Sequence, residues 1–277
     1  MSAPAARLAE LAALWRLEAL VPVAQTPRSW VYRGTQDGEA VALKLLTAAG
    51  AEEIVGAALL RWWDGAGAVG LRAAADDAML LDWCDGGTLG ARVRAAGDGD
   101  SVAGLVGLIR RLQAPRAAPV PVLAPLARRM APLLACREGP RGTAAALARE
   151  LLATTEREVP LHGDLHHDNV MLADDAPAWV AIDPKGVLGD PAYEAANLFL
   201  NPGTVALERD PAALAEALAA GCGWPLARVT GWAAAHCALA GVWSAADGEA
   251  WDVAEAMLLR LLACHAAVRQ AGGSLTS

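Results

Sequence analysis

The stretch LHGDLHHDNVM, Leu161 to Met171, decides how this chain is read. It holds His162, Asp164, His166, His167, Asp168 and Asn169 in a chain that is otherwise mostly alanine and aliphatics. His162 and His166 are four apart, the spacing at which a helix can offer two imidazoles to one zinc ion. The H-E-x-x-H arrangement, however, needs glutamate directly after the first histidine, on a continuous helix. Here Gly163 follows His162, Pro160 precedes it by two, and Asp168-Asn169 are turn formers. The segment is therefore predicted as a loop between a helix and a strand, and the zinc reading fails. A polar turn that bonds only its own backbone would account for Asp168 and Asn169. It would not account for Asp164 and Asn169 recurring with another aspartate, Asp183, after the apolar run ending at Ile182.

Phosphoryl transfer does account for them. It needs strict positioning and neutralisation of phosphate charge, with little covalent help from the protein. A carboxylate must accept the attacking hydroxyl's proton, oxygen ligands must hold Mg²⁺, and a lysine oriented by a glutamate must hold the nucleotide phosphates. Asp164, Asn169 five residues on, Asp183, and Lys44 in Val41-Ala42-Leu43-Lys44 supply these groups. Lys44 and Lys185 are the only lysines among 23 basic residues. A chain that uses arginine elsewhere and lysine at such positions invites a chemical reason, since the two differ where a compact point charge is needed.

Composition sets the frame. At 277 residues, 55% hydrophobic and 19% charged, the chain can bury a large core as two lobes or one large domain. A net charge of −8 makes nucleic acid an unsuitable partner. Five cysteines, an odd number with no C-x-x-C pair, point to reduced thiols in a cytoplasmic protein. The first twenty residues lack a charged head followed by an apolar run, so no secretory signal is expected. The uncharged run Val229–Ala246 is read as a buried helix and not as a membrane span.

Along the chain, an amphipathic helix is predicted to end near Val21-Pro22. Trp30–Arg33 and Ala40–Leu46 then flank a hairpin turn at Gln36-Asp37-Gly38. AEEIVGAALLRWW has helical spacing and closes at Asp64-Gly65, and a second hairpin turns at Asp76-Asp77. After Asp85-Gly86-Gly87 the pattern is mainly helical, with short strands around the opening motif. Asp190 and Pro191 are predicted as N-cap and first position of a further helix. The expected organisation is α+β: a β-rich lobe over 1–86 with a hinge near 81–86, and a larger helical lobe over 87–277.

His162-Gly163-Asp164, four residues and Asn169, followed by Ile182-Asp183-Pro184, resemble the small-molecule branch of the kinase catalytic loop H-R-D-x-x-x-x-N. The chain thus resembles the aminoglycoside phosphotransferase family, from about Ser29 to beyond Pro202. LHGDLHHDN, IDPKGVLGDP and AAN look most like its streptomycin 6-phosphotransferase and aminoglycoside/hydroxyurea resistance kinase group. The resemblance implies a protein-kinase-like two-lobe fold, with ATP and Mg²⁺. It makes Asp164 the general base, Asn169 and Asp183 the Mg²⁺ ligands, and Lys44 the phosphate lysine. Glu53 becomes the partner of Lys44, with Glu52 as the fallback. Leu81, Asp82 and Cys84 fall at the hinge, where adenine would meet the backbone of Asp82 and Cys84. Ser29-Trp30-Val31-Tyr32 stands where protein kinases carry a glycine-rich loop. The implied acceptor is a cationic, polyhydroxylated small molecule, streptomycin first, phosphorylated at its 6-hydroxyl. Asp98, Asp100, Asp247 and Glu249 are its candidate carboxylates, with Asp252 close by. A monomer is expected. A metabolic kinase of the same fold acting on a sugar or amino alcohol, and a nucleotide-binding pseudokinase, are the alternatives.

Overall fold

The first helix is shorter than the sequence suggests. In the computed structural model, which describes residues 5–97, 101–172 and 179–275, helix α1 (Ala5–Leu14) stops well before Pro22. Leu17–Gln25 is instead strand β1, antiparallel to β2 (Ser29–Gln36). Leu17, Leu20 and Val21 imitate a helical period, but Arg16 and Ala19 both take φ of 52°, which no helix accommodates. Register shifts follow between Glu18 and Val21 and between Pro22 and Ala24. As the edge strand, β1 tolerates a proline that cannot donate to the ladder.

The two hairpins form as predicted. Asp37 and Gly38, with φ of 52° and 87°, make the tight turn between β2 and β3 (Glu39–Leu46). Asp76-Asp77 joins β4 (Leu71–Ala75) to β5 (Ala78–Asp82), and the sheet order is β1-β2-β3-β5-β4. Alternation along β3 puts Leu43 and Leu45 in the smaller core with Leu11 and Tyr32, while Leu46 belongs to the larger core. Lys44 shares the Leu46 side and so faces the helical part of the chain. Between β3 and β4, Ala48–Ile54 is a 3-10 helix that leads into α2 (Val55–Trp63). The predicted helical segment thus begins as the tighter form, and it ends at Asp64 in the left-handed region.

Beyond the sheet come α3 (Leu89–Ala96), α4 (Ser101–Leu112), the short β6 (Ala124–Pro125), α5 (Leu126–Leu134) and α6 (Gly139–Ala153). Then follow β7 (Val159–Leu161), β8 (Val170–Leu172), β9 (Trp179–Ala181) and β10 (Val187–Gly189). Two 3-10 segments, Pro191–Leu200 and Gly203–Glu208, precede α7 (Pro211–Cys222), α8 (Leu226–Ala246) and α9 (Asp252–Gln270). Asp190 caps the first of these segments, accepting from the Ala192 N–H at 2.9 Å. β10 pairs with β7, and β8 with β9. The loop holding Asp164 leaves β7, and the loop holding Asp183 leaves β9. Pairing of the ribbons brings the two loops side by side. The larger core runs from Leu46 through Trp63 to Leu275, so it crosses the end of the sheet. α8 is buried along most of its length, and no helix among the described residues is long and apolar enough to cross a membrane.

Candidate active site

The catalytic-type loop is held from below by a buried carboxylate. Glu194 accepts from the backbone N–H of His162 at 2.8 Å and of Gly163 at 3.3 Å. Gly163 takes φ of 80°, and a Cβ there would lie 2.7 Å from Val187 Cγ2. That is a physical reason for His-Gly-Asp in place of His-Arg-Asp. His162 is fully buried and braces the loop. Its Nδ1 accepts from the Asp164 N–H at 3.2 Å, so its Nε2–H donates to the Ile182 carbonyl at 2.7 Å. Burial pushes its pKa down to about 4, in keeping with a neutral ring. Burial also pushes Glu194 up to about 7, against the pull of its two backbone donors.

Asp164 sits at the top of this loop. Its Oδ1 accepts from Asn197 Nδ2 at 3.0 Å, with Arg129 Nη2 3.8 Å away. Burial raises its pKa, partly countered by the charges of His166 and Arg129. Asn169 donates through Nδ2 to the Asp164 carbonyl at 2.9 Å, which leaves its amide oxygen as the acceptor end. Across from it, Asp183 adopts φ of 59°, a left-handed conformation that aspartate tolerates better than most residues.

Four charged side chains then meet. Lys44 Nζ lies 2.7 Å from Glu53 Oε2 and also contacts Asp183 Oδ1. Lys185 Nζ lies 2.8 Å from Glu53 Oε1 and 3.4 Å from Asp183 Oδ2. Arg28, from the turn between β1 and β2, adds a contact to Glu53 Oε1 at 2.8 Å. Glu53 is only 3% exposed. Burial alone would raise its pKa, but hydrogen bonds from Lys185 and Lys44 hold it at about 2. The neighbouring Glu52 is exposed and pairs with Arg28 instead, so Glu53 is the carboxylate that meets Lys44. The 3-10 helix carrying Glu53 is fixed beside this loop by Gly56, where a Cβ would lie 2.5 Å from the Pro184 carbonyl oxygen.

The other expected residues lie further out. Ser29 is buried, and its N–H and hydroxyl lie 3.0 and 3.3 Å from Thr26 Oγ1, so it belongs to the turn and not to the charged cluster. Leu81 and Asp82 end β5, with the Asp82 N–H on the Gly70 carbonyl at 3.0 Å and its carboxylate on Arg72 Nε at 2.6 Å. Cys84 is buried just beyond. Asp247, Glu249 and Asp252 are exposed around the α8–α9 junction, and their side chains have no polar partner among the described residues. Asp247 lies one turn past Trp243, whose ring packs under the Arg129 guanidinium at 4.8 Å. Trp251 instead packs against Arg141, 3.8 Å from its ring centroid. Asp98 and Asp100 lie outside the described residues.

Among the described residues, no group of three or more His, Cys, Asp or Glu could hold a metal. His166 Nδ1 accepts from the Asp168 N–H, and His167 Nε2 lies 3.3 Å from Arg209, so the two rings serve separate contacts. Sequence reasoning missed Glu194, Asn197 and Arg129. Asn197 lies in the quoted AAN and Glu194 just before it. Arg129 has no local signal among so many arginines.

The family described as aminoglycoside/hydroxyurea antibiotic resistance kinase matches residues 14–248. The chain is 38% identical over 191 residues to streptomycin 3''-kinase of Klebsiella pneumoniae, spanning 68% of this chain and 71% of that protein. It is 35% identical over 172 residues to streptomycin 6-kinase of Streptomyces griseus, 57% of this chain and 54% of that one. In three dimensions it is similar to a choline/ethanolamine kinase family protein from Mesorhizobium loti, with a TM-score of 0.69 at 17% identity over 96% of this chain and 99% of the other. A ternary complex of aminoglycoside phosphotransferase APH(4)-Ia with ADP and hygromycin B gives 0.61 at 15% identity, over 96% and 99%.

Proposed function

Because the chain belongs to the aminoglycoside/hydroxyurea antibiotic resistance kinase family, we propose that it transfers the γ-phosphoryl group of ATP to streptomycin, at the 6-hydroxyl. The observation that carries the reaction is the meeting of Lys44, Glu53 and Asp183 beside the loop that presents Asp164. The streptomycin kinases among its relatives support the acceptor, and the motif wording supports the 6-hydroxyl.

Each side chain then has a task. Asp164 takes the proton of the acceptor hydroxyl on Oδ2, while Asn197 holds Oδ1 and fixes the carboxylate plane. Glu194 keeps the loop beneath it from relaxing. Glu53 aims the Lys44 ammonium at the α- and β-phosphates. Leu81 and the backbone of Asp82 and Cys84 receive the adenine at the end of β5. The donor chemistry of Asn169 and Asp183 fits Mg²⁺: an amide oxygen and a carboxylate are hard ligands, and two protein ligands leave room for water and phosphate. Once bound there, Mg²⁺ supplies charge neutralisation on the phosphates. Asp247 and Glu249, exposed at the α8–α9 junction, are assigned to the guanidinium groups of the acceptor, which call for carboxylates that accept paired N–H donors.

Purified protein with ATP and Mg²⁺, offered streptomycin, kanamycin, hydroxyurea and choline in turn, tests the reading. Streptomycin should gain one phosphate, located at the 6-hydroxyl by NMR, and kanamycin none. Phosphate at the 3''-hydroxyl would keep the drug and move the position. Transfer to hydroxyurea or choline alone would discard the drug.

A further inference from the structure

Lys185 is the lysine that this reaction leaves without a task. Its N–H donates to the His162 carbonyl at 2.8 Å, so its backbone is tied to the loop that presents Asp164. Its ammonium turns back to Glu53 Oε1 and Asp183 Oδ2. Orienting Lys44 needs one carboxylate and one ammonium, yet Glu53 contacts three cations: Lys44, Lys185 and Arg28. Arg28 is shared with Glu52, so the two ammonium groups are what remain: Lys44 and Lys185 flank the same two carboxylates, Glu53 and Asp183, at opposite oxygens of each. One ammonium suffices to hold the α- and β-phosphates, so the second, on the other oxygen of Asp183, is available to a further phosphate oxygen.

Its place along the reaction path is also defined. The Lys185 Nζ is 3.4 Å from Oδ2 of Asp183, the carboxylate assigned to the metal, while its N–H bonds the loop that presents Asp164, the carboxylate assigned to the proton. The transferred group must pass there.

We propose that Lys185 is a second phosphate-binding residue whose ammonium contacts the γ-phosphoryl group, with Lys44 serving the α- and β-phosphates. This rests on the nucleotide site read above. In the transfer, the bond from the γ-phosphorus to the β–γ bridging oxygen breaks and one to the acceptor oxygen forms. The acceptor's proton goes to Asp164, and Lys185 keeps its own. A compact ammonium with three donors can follow the γ-oxygens as charge spreads over them.

Calorimetric titration of the full chain with Mg²⁺ and either ADP or the non-hydrolysable AMP-PNP tests this. Lys185→Ala should raise the Kd for AMP-PNP about tenfold more than the Kd for ADP, the loss expected of a hydrogen bond to a charged group. Lys44→Ala should weaken both alike, and Lys185→Arg should restore most of the AMP-PNP preference. If Lys185→Ala does not fold, Lys185→Gln is read by the same ratio. A ratio within about twofold of the parent's would overturn the proposal and make Lys185 a structural partner of Glu53, whatever the total loss of affinity. A parent chain that binds neither nucleotide would overturn both this proposal and the nucleotide site itself.

Discussion

Lys44 and Lys185 hold opposite oxygens of one carboxylate, Glu53, at 2.7 Å from Oε2 and 2.8 Å from Oε1. The chain's only two lysines, 141 positions apart in sequence, therefore converge on one buried group.

Glu53→Gln should be far more harmful than Glu52→Gln. A glutamine at 53 turns an NH₂ toward one of two ammonium groups, and removing one partner of a buried pair costs ~3–5 kcal/mol. Glu52 is exposed, so its pair with Arg28 is worth about 1 kcal/mol or less. Denaturant unfolding of both variants checks this, and equal losses would show that Glu53 does not anchor the cluster. The same carboxylate sets an acid limit. With a folded pKa of about 2 against the ordinary 4.5, its stabilisation is present above pH 4.5 and lost as the pH falls toward 2.

Asp183→Ala should abolish the additional thermal stabilisation that Mg²⁺ gives with ATP, because a carboxylate ligand is gone. Melting curves with ATP alone and with ATP plus Mg²⁺ measure it. A variant that still gains the parent's full increment on adding Mg²⁺ would remove Asp183 from the metal site.

Glu194 should leave its mark between pH 4.5 and 7. Its folded pKa near 7 exceeds the ordinary 4.5, so in that window the folded state binds more protons than the unfolded one. Its contribution to stability should therefore fall as the pH rises through the window and be flat on either side. The melting temperature of the parent minus that of Glu194→Gln isolates this slope. A difference that grows with pH would mean that the two backbone donors outweigh burial.

The local parts of this arrangement were legible in the sequence. Asp164, Asn169 and Asp183 sit on loops whose polar spacing and flanking apolar strands mark them, and Lys44 stands out in a chain nearly free of lysine. The Asp37-Gly38 hairpin is fixed by turn chemistry alone. What escaped depends on long-range pairing. β1 reads as helix until β2 is available to pair with it. Asn197 reaches Asp164 only because a 3-10 segment 33 positions later folds beneath the loop. Arg129 is placed by α5 packing, which no spacing announces. The Lys185–Glu53 contact needs the Gly56–Pro184 approach, which is a property of the fold.

Asp247→Asn or Glu249→Gln should raise the KM for streptomycin about tenfold and leave that for ATP unchanged, if these exposed carboxylates receive the guanidinium groups at ~1.5–3 kcal/mol each. Steady-state kinetics with each substrate varied decides it. An unchanged streptomycin KM in both variants would move the acceptor's cationic end elsewhere.

The most direct test of the account is a single-turnover measurement of phosphate transfer from ATP to streptomycin by the parent chain and by Asp164→Asn, with AMP-PNP affinity measured alongside. The account predicts transfer by the parent, a loss of roughly 10² or more in rate for Asp164→Asn, and nucleotide affinity little changed, because the base acts on the acceptor's proton and not on the nucleotide. A near-parental transfer rate in Asp164→Asn would contradict it.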